Sequence, residues 1–213
     1  MPDNDNFLPP DVIASISNAI EAMKQQAQEM ERELTPLMLA ARAGRKDEVL
    51  ALLRQGEDVN AATKTHGSTA LLDAVSEHHP SIVRLLVQRG ANLSGGSHGF
   101  TALHLAALLD DVACAVALLD CGADINAQAS GYGGTPLMEA MSEGDGNFIG
   151  PNVARLLIER GANLALQDAQ GKTVLDYALD YYNCWIEVPD SVWLGASQRE
   201  LIEFVRRSVQ PDA

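Results

Sequence analysis

One short phrase, threonine followed by proline, alanine or valine and then leucine, occurs five times in this chain of 213 residues. The copies are spaced 34, 32, 34 and 38 residues apart, and a fixed spacing of this size is typical of repeat architectures. They begin at Thr35, Thr69, Thr101, Thr135 and Thr173. A second phrase, a glycine two residues before an aspartate or asparagine, keeps step with the first. It begins at Gly56, Gly90, Gly122 and Gly161. Two phrases in register define a repeated structural unit.

Each unit is predicted to be a pair of helices. A threonine hydroxyl can cap a helix, and proline in the next position, as in Thr35-Pro36, loses no hydrogen bond there. The alanine pair Ala40-Ala41 lets neighbouring inner helices approach closely. Branched apolar residues at helical spacing then predict an outer helix, and a glycine such as Gly56 suits its end. Helices this short are stable only when they stack on a neighbour.

The segments between units, such as 62–68 and 128–134, are polar and rich in glycine, which favours extended hairpins over helices. With these connections the repeat resembles the ankyrin family, including small bacterial-type members. The clearest matches are residues 101–107 (TALHLAA) and 122–127 (GADINA). The resemblance implies an all-α repeat solenoid of helix-turn-helix units with β-hairpin connections.

The resemblance covers about residues 34 to 209 and divides the chain as follows. We expect a disordered tail at 1–10, an N-terminal capping helix at 11–33, five repeats at about 34–66, 67–98, 99–132, 133–170 and 171–209, and a tail at 210–213. Only the third repeat keeps the family histidine, His104, which predicts weaker hydrogen bonding between the other repeats. The fourth repeat has about five extra residues near 144–151, and the fifth has an insertion around 183–197 before an outer helix at roughly 198–208.

The N-terminal helix carries its apolar residues on one face. They are Val12, Ile13, Ile16, Ala19, Ile20, Met23, Ala27 and Met30. One interpretation is a cap that covers the open core of the first repeat, as solenoids require. The other is a helix that binds a second copy or a partner, so the chain is expected to be a monomer or a weak dimer through this helix.

The composition excludes several classes of partner. Fifteen basic against 29 acidic side chains give a net charge of −14, which disfavours nucleic acid and anionic membranes and favours basic proteins. The longest apolar run, 112–119, is too short to cross a bilayer. No secretory signal precedes Lys24, and the three cysteines show no paired spacing, so a cytoplasmic protein is expected.

The sequence contains fragments of catalytic and metal-binding motifs, but each is incomplete or has a simpler structural explanation. The Gly171-Lys172-Thr173 run lacks the earlier glycine of a phosphate-binding loop. Ser97 sits in a G-x-S-x-G run that is better explained as a hairpin tip, although a hydrolase using Ser97 remains an alternative. His78 and His79 are interpreted as a solvated surface cluster. We therefore expect neither an enzyme, nor a metal site, nor a cofactor.

Proteins that resemble this family usually bind partners on a concave face formed by the hairpin tips and the inner helices. Counting from each threonine predicts the residues of that face. They are Arg42, His66, Ser68, Ser76, Glu77, His98, Phe100, Leu108, Leu109, Tyr132, Ser142, Glu143, Asp180, Tyr181 and Tyr182. Large apolar groups would form its centre and acidic groups its rim, although the leucines could instead pack under the next hairpin. Trp185 and Trp193, in the fifth repeat, either plug the end of the stack or grip the partner.

The sequence therefore predicts a non-enzymatic module that binds a protein, with a basic surface on that partner. A narrower alternative is an immunity or inhibitor protein that neutralises a cognate toxin or effector, as some similar bacterial proteins do.

Overall fold

A computed structural model of the chain describes residues 9–96, 99–141, 152–179 and 205. Its ordered elements are helices, and none of the described residues forms a named strand. The helices are α1 (Pro10–Glu33), α2 (Pro36–Arg42), α3 (Lys46–Arg54), α4 (Ala70–Ser76), α5 (Pro80–Gln88), α6 (Ala102–Leu108), α7 (Val112–Asp120), α8 (Pro136–Glu139) and α9 (Asn152–Glu159). Residues 174–179 are also helical. The all-α repeat prediction is confirmed.

The helices form two layers, with α2, α4, α6 and α8 inside and α3, α5, α7 and α9 outside. Each inner helix contacts the next inner helix, and each outer helix contacts the next outer one. Alanines such as Ala41, Ala74 and Ala107 are fully buried between the inner helices, where a small side chain permits close approach. Larger residues, including Leu86 and Leu118, fill the space between the layers. One continuous core therefore runs through four helix pairs and into the start of a fifth.

The predicted capping threonines begin the inner helices. The hydroxyl oxygens of Thr35, Thr69, Thr101 and Thr135 each accept a hydrogen bond from the backbone N–H three residues later. The predicted glycine ends are also confirmed, because Gly56 has φ +91° and Gly122 has φ +89°, in the left-handed region that ends a helix without strain. Local sequence therefore determines where each of these inner helices begins and where the outer helix ends.

The connections are tight turns closed by backbone hydrogen bonds. Thr63 N–H donates to the Ser68 carbonyl over 2.9 Å, and Ala129 N–H donates to the Gly134 carbonyl over 3.0 Å. Only the pair Ala62 and Thr69 forms an antiparallel bridge within the described residues. The predicted hairpins are therefore present as turns, with less strand pairing than extended hairpins would show.

Side-chain amides tie one unit to the next. Asn60 Oδ1 accepts a hydrogen bond from Asn92 N–H over 2.8 Å, and Asn126 Oδ1 accepts one from Asn163 N–H over the same distance. Each of these asparagines follows an outer helix, so the bonds fix the rise from one unit to the next.

The N-terminal helix does not cover the first unit along the part whose side chains the structure describes. Every residue from Val12 to Gln25 is exposed, which does not support a cap along this part of the helix; the capping helix as a whole stays a prediction. The helix is attached at its end instead, where the Glu33 carboxylate accepts hydrogen bonds from Thr65 N–H (3.1 Å) and the Thr65 hydroxyl (2.8 Å). These bonds lower the pKa of Glu33.

Several predicted regions lie outside the described residues. These are most of the tail 1–10, the whole extra segment 144–151, the insertion 183–197 and the tail 210–213. Within the predicted last outer helix, Val205 is helical and buried. The fifth repeat thus remains a prediction beyond its first helix. No helix in the described ranges is long and apolar enough to span a bilayer.

Candidate functional site

The surface of interest is called the inner face here. It comprises the connection tips and the fourth, seventh and eighth residues after each repeat threonine. On a helix these positions fall on one side, because residues three or four apart are neighbours. The seventh and eighth residues were predicted from the sequence.

Between the first two units, the inner face carries a buried acid. Asp73 Oδ1 accepts hydrogen bonds from Arg42 Nη2 over 2.8 Å and from the Ser68 hydroxyl over 3.2 Å. The Asp73 side chain is only 4% exposed, whereas that of Arg42 is 46% exposed. The buried Asp73 Oδ2 accepts no hydrogen bond from the described residues. Two predicted site residues, Arg42 and Ser68, are thus held in place by an acid that the prediction missed.

The middle of the inner face is open to solvent. His66, Ser76 and Glu77 are exposed in the second unit. In the third unit, Leu108 is half-buried and Leu109 is 38% exposed at the end of α6. An exposed leucine on this face thus follows an exposed acid one unit earlier.

Phe100 packs on the core at the third unit. Its ring lies 5.2 Å from the His104 ring, centroid to centroid. His104 is fully buried, its Nδ1 accepts from Thr101 N–H over 3.1 Å, and its Nε2 therefore donates to the Gly134 carbonyl over 3.1 Å. Burial lowers the pKa of His104, so the imidazole is neutral at pH 7. Phe100 is half-buried on this support, and its exposed part contributes to the inner face.

The Tyr132 hydroxyl is hydrogen-bonded where the third unit meets the fourth. The Tyr132 hydroxyl donates a short hydrogen bond to Glu139 Oε1. Burial raises the pKa of Glu139, and burial together with this acid raises the pKa of Tyr132. In the fifth unit the Tyr177 hydroxyl likewise donates to Asp168 Oδ2 over 2.9 Å. Both tyrosine rings are half-buried, and the Lys172 ammonium lies 5.7 Å from the centroid of the Tyr177 ring.

The two adjacent histidines lie at the surface, where the His78 side chain is 59% exposed, but both contact neighbouring units. His78 Nδ1 lies 2.9 Å from Asp111 Oδ2 in the third unit, and His79 Nε2 lies 3.2 Å from the Arg42 carbonyl in the first. Despite the opposing effect of burial, hydrogen bonds from Cys114 and His78 lower the pKa of Asp111. The histidine pair therefore links three units at the turns between inner and outer helices.

The sequence prediction used the seventh and eighth residues after each repeat threonine and missed the fourth, which lies one helical turn earlier. The fourth position carries exposed Leu39, buried Asp73 and half-buried Leu105, Glu139 and Tyr177. Helical periodicity could have found them, because residues i and i+4 share a face. The inner face thus alternates apolar and acidic side chains along the stack.

Many predicted residues lie outside the described residues. They are His98, Ser142, Glu143, Asp180, Tyr181, Tyr182, Trp185 and Trp193, together with Ser97 of the hydrolase alternative. In the ranges that the structure describes, no group of three or more histidine, cysteine or acidic side chains could hold a metal ion.

Comparison with known proteins identifies the repeat. A family model described as Ankyrin repeats (3 copies) matches residues 12–95, 37–129 and 103–186. Ankyrin repeat and SOCS box protein 6 of Homo sapiens is 37% identical over 127 residues, which cover 58% of this chain and 30% of that protein.

Two further relatives match longer stretches. Ankyrin repeat and SOCS box protein 16 of Homo sapiens is 31% identical over 148 residues, covering 69% of this chain and 31% of that protein. Mitochondrial disaggregase of Bos taurus is 33% identical over 146 residues, covering 67% of this chain and 20% of that protein. Each match thus spans less than a third of the relative. All three are animal proteins, so the bacterial-type resemblance stays a prediction.

Proposed function

The chain belongs to the ankyrin-repeat family, and from that premise we propose that it binds another protein through its inner face and catalyses no reaction itself. The main support is the exposure of Leu109 on this face, next to half-buried Leu108. Adjoining apolar groups on a protein surface mark contact sites, and half-buried Phe100 belongs to the same face as the two leucines. The partner would cover the two leucines and the exposed part of Phe100.

The charge of the chain supports a basic partner. With a net charge of −14, the protein attracts cationic surfaces and repels nucleic acid. On the inner face itself, Glu77 is exposed beside the apolar centre. A lysine or arginine of the partner would pair with such a rim acid, mainly increasing the association rate.

The partner could belong to a narrower class. A basic toxin or nuclease fits the acidic surface, in which case the chain acts as an immunity or inhibitor protein. Rescue of growth when the chain is expressed with a neighbouring secreted effector would support this version. Unchanged toxicity with every such effector would reject it and leave the general proposal intact.

A reducing compartment, the cytoplasm, is the setting that we propose. Cys114 and Cys121 are free in the structure, Cys114 is buried, and burial raises its pKa. A buried neutral thiol acts as a small apolar residue and not as a nucleophile.

Capture of a partner by the immobilised full chain from native lysate tests the proposed face. Glu77→Lys reverses a charge on the inner face, whereas Asp47→Lys reverses one on the exposed side of the outer helix α3. We expect Glu77→Lys to weaken capture of a specific basic protein and Asp47→Lys to leave it unchanged. Equal capture by both variants would contradict the proposal. The same reversal at Glu143 and Asp180 extends the test to the fourth and fifth repeats.

A further inference from the structure

An apolar stripe runs along α1 without cover. It comprises Val12, Ile13, Ile16, Ile20 and Met23, whose residues are between 36% and 70% exposed. Every residue of α1 from Val12 to Gln25 is exposed, so no part of the repeat stack buries this stripe. Leaving five large apolar side chains in water is unfavourable, because removing apolar surface from water is the main favourable term in most protein associations.

The spacing of the stripe fits another helix. Ile13, Ile16, Ile20 and Met23 are separated by three, four and three residues, and the sequence continues the alternation at Ala27 and Met30. This is the a and d pattern of a heptad repeat, which keeps one narrow seam facing a partner helix. With 24 residues, α1 holds just over three heptads, close to the minimum for a stable coiled coil.

The charges on α1 suit a second copy of the chain. Between residues 12 and 25 the only charged side chains are Glu21 and Lys24, which form an ion pair 3.7 Å apart. This segment is therefore neutral in a protein of net charge −14. A basic partner gains no attraction here. The C-terminal end of α1 is acidic, with Glu29, Glu31 and Glu33, and an antiparallel second copy places its neutral segment opposite these acids while supplying the same heptad spacing.

We propose that two chains associate through α1 as an antiparallel two-stranded coiled coil, separately from any partner on the inner face. The repeat stack begins at Thr35, directly after α1. A parallel pair would place two acidic stacks side by side. An antiparallel pair separates them by the length of the helix, about 36 Å, which exceeds the screening length of about 8 Å. With full overlap, Ile20 packs against Met23 of the second copy.

Sedimentation equilibrium of the full chain from about 1 to about 300 μM tests the association. We expect the mass to rise from 22.8 kDa toward twice that value. Ile16→Glu with Ile20→Glu should hold the mass at one chain, whereas Asn18→Glu with Gln25→Glu, which adds the same charge off the seam, should still dimerise. A wild-type mass of one chain throughout, or equal behaviour of the two variants, would overturn the proposal. Thermal unfolding of the stack should be similar in both variants, since these side chains do not pack on it.

Hydrogen exchange of the wild-type chain gives a readout that needs no substitution. Amides of residues 12–25 should exchange several-fold more slowly at the high concentration than at the low one. Fast exchange at both concentrations would contradict binding of a second copy. Slow exchange at both concentrations, with the mass of one chain, would also contradict it and would show that a segment of the same chain, such as residues 198–208, covers the stripe.

Substitution at Ser17 tests the direction of the pair. In the antiparallel arrangement, Ser17 lies beside Lys24 of the second copy, so Ser17→Glu should tighten association about threefold and Ser17→Lys should loosen it. Within its own helix, residue 17 lies next to Glu21, which repels a glutamate and attracts a lysine at that position. The effect of Glu21 on each substitution is therefore opposite in sign to that of Lys24 from the second copy. If Ser17→Lys tightened association instead, the antiparallel arrangement would be wrong.

Discussion

His104 donates a hydrogen bond from Nε2 to the carbonyl oxygen of Gly134, 3.1 Å away, and so joins the third unit to the connection before the fourth. The same ring caps its own helix, because Nδ1 accepts from Thr101 N–H. The fourth unit has Met138 at the equivalent position, so a methionine fits the repeat there. His104 therefore contributes hydrogen bonds that an apolar residue of similar size cannot replace.

We expect His104→Met to lower the free energy of unfolding by about 1–2 kcal/mol, because Thr101 N–H and the Gly134 carbonyl each lose a buried partner. Urea denaturation followed by circular dichroism measures the change. The matched control is Gln88→Met at an exposed position of α5, which should change the free energy of unfolding by less than about 0.5 kcal/mol. Equal losses would show that the hydrogen bonds of His104 do not stabilise the stack.

The stability contributed by His104 should depend on pH. Burial holds the pKa of His104 below the ordinary value of 6.5 in the folded chain. As the pH falls, the imidazole is therefore protonated in the unfolded chain before it is protonated in the folded one. The contribution of neutral His104 is complete above pH 6.5 and is lost as the pH falls toward the lowered pKa. The stability gap between wild type and His104→Met should therefore narrow from about pH 8 to about pH 5. A gap that is constant or widens toward acid would contradict this assignment.

Gly133 lies where two successive connections touch. It has φ +74°, and a Cβ there would lie 2.9 Å from Ala169 N, whose N–H donates to the Tyr132 carbonyl. Gly122 also has a positive φ, +89°, but a Cβ there meets nothing within 4 Å. Gly133→Ala should thus lower the free energy of unfolding by about 1–2 kcal/mol more than Gly122→Ala does. The Gly122 variant measures only the strain of a positive φ, because its Cβ meets no other atom. Similar losses in thermal unfolding would mean that the fourth and fifth units are not packed as described.

Arg42 and Asp73 should be energetically coupled across the first two units. Among the described residues, removing Arg42 leaves the buried Asp73 carboxylate with only the Ser68 hydroxyl as a side-chain donor. In a double-mutant cycle of Arg42→Ala and Asp73→Asn, we expect a coupling energy of about 1 kcal/mol, limited by the exposure of Arg42. A coupling energy near zero by urea denaturation would indicate that the pair does not stabilise the stack.

The sequence predicted those parts of the fold that depend on neighbouring residues. Thr35 and Thr135 cap their helices through bonds to residues three positions away, and Gly56 ends its helix through its own φ. Such features repeat in each unit, so their spacing alone reveals them.

Contacts between units were harder to predict. Asp73 meets Arg42 from 31 residues away, and His78 meets Asp111 from 33 residues away. Both pairings depend on how two units rotate against each other, which composition and periodicity do not specify. Likewise, helical spacing predicted the apolar face of α1 but could not show that the first unit leaves Val12 to Met23 exposed.

We propose that the inner face of the stack, and not its outer helices, binds the partner. Leu109 on the inner side and Val112 on the outer helix α7 are each 38% exposed, so Leu109→Asp and Val112→Asp introduce the same charge at equal exposure. The most direct measurement is the affinity of both variants for the captured partner by titration calorimetry. We predict that Leu109→Asp weakens binding at least about tenfold and that Val112→Asp leaves it within about twofold. The reverse order, or equal effects, would contradict the account.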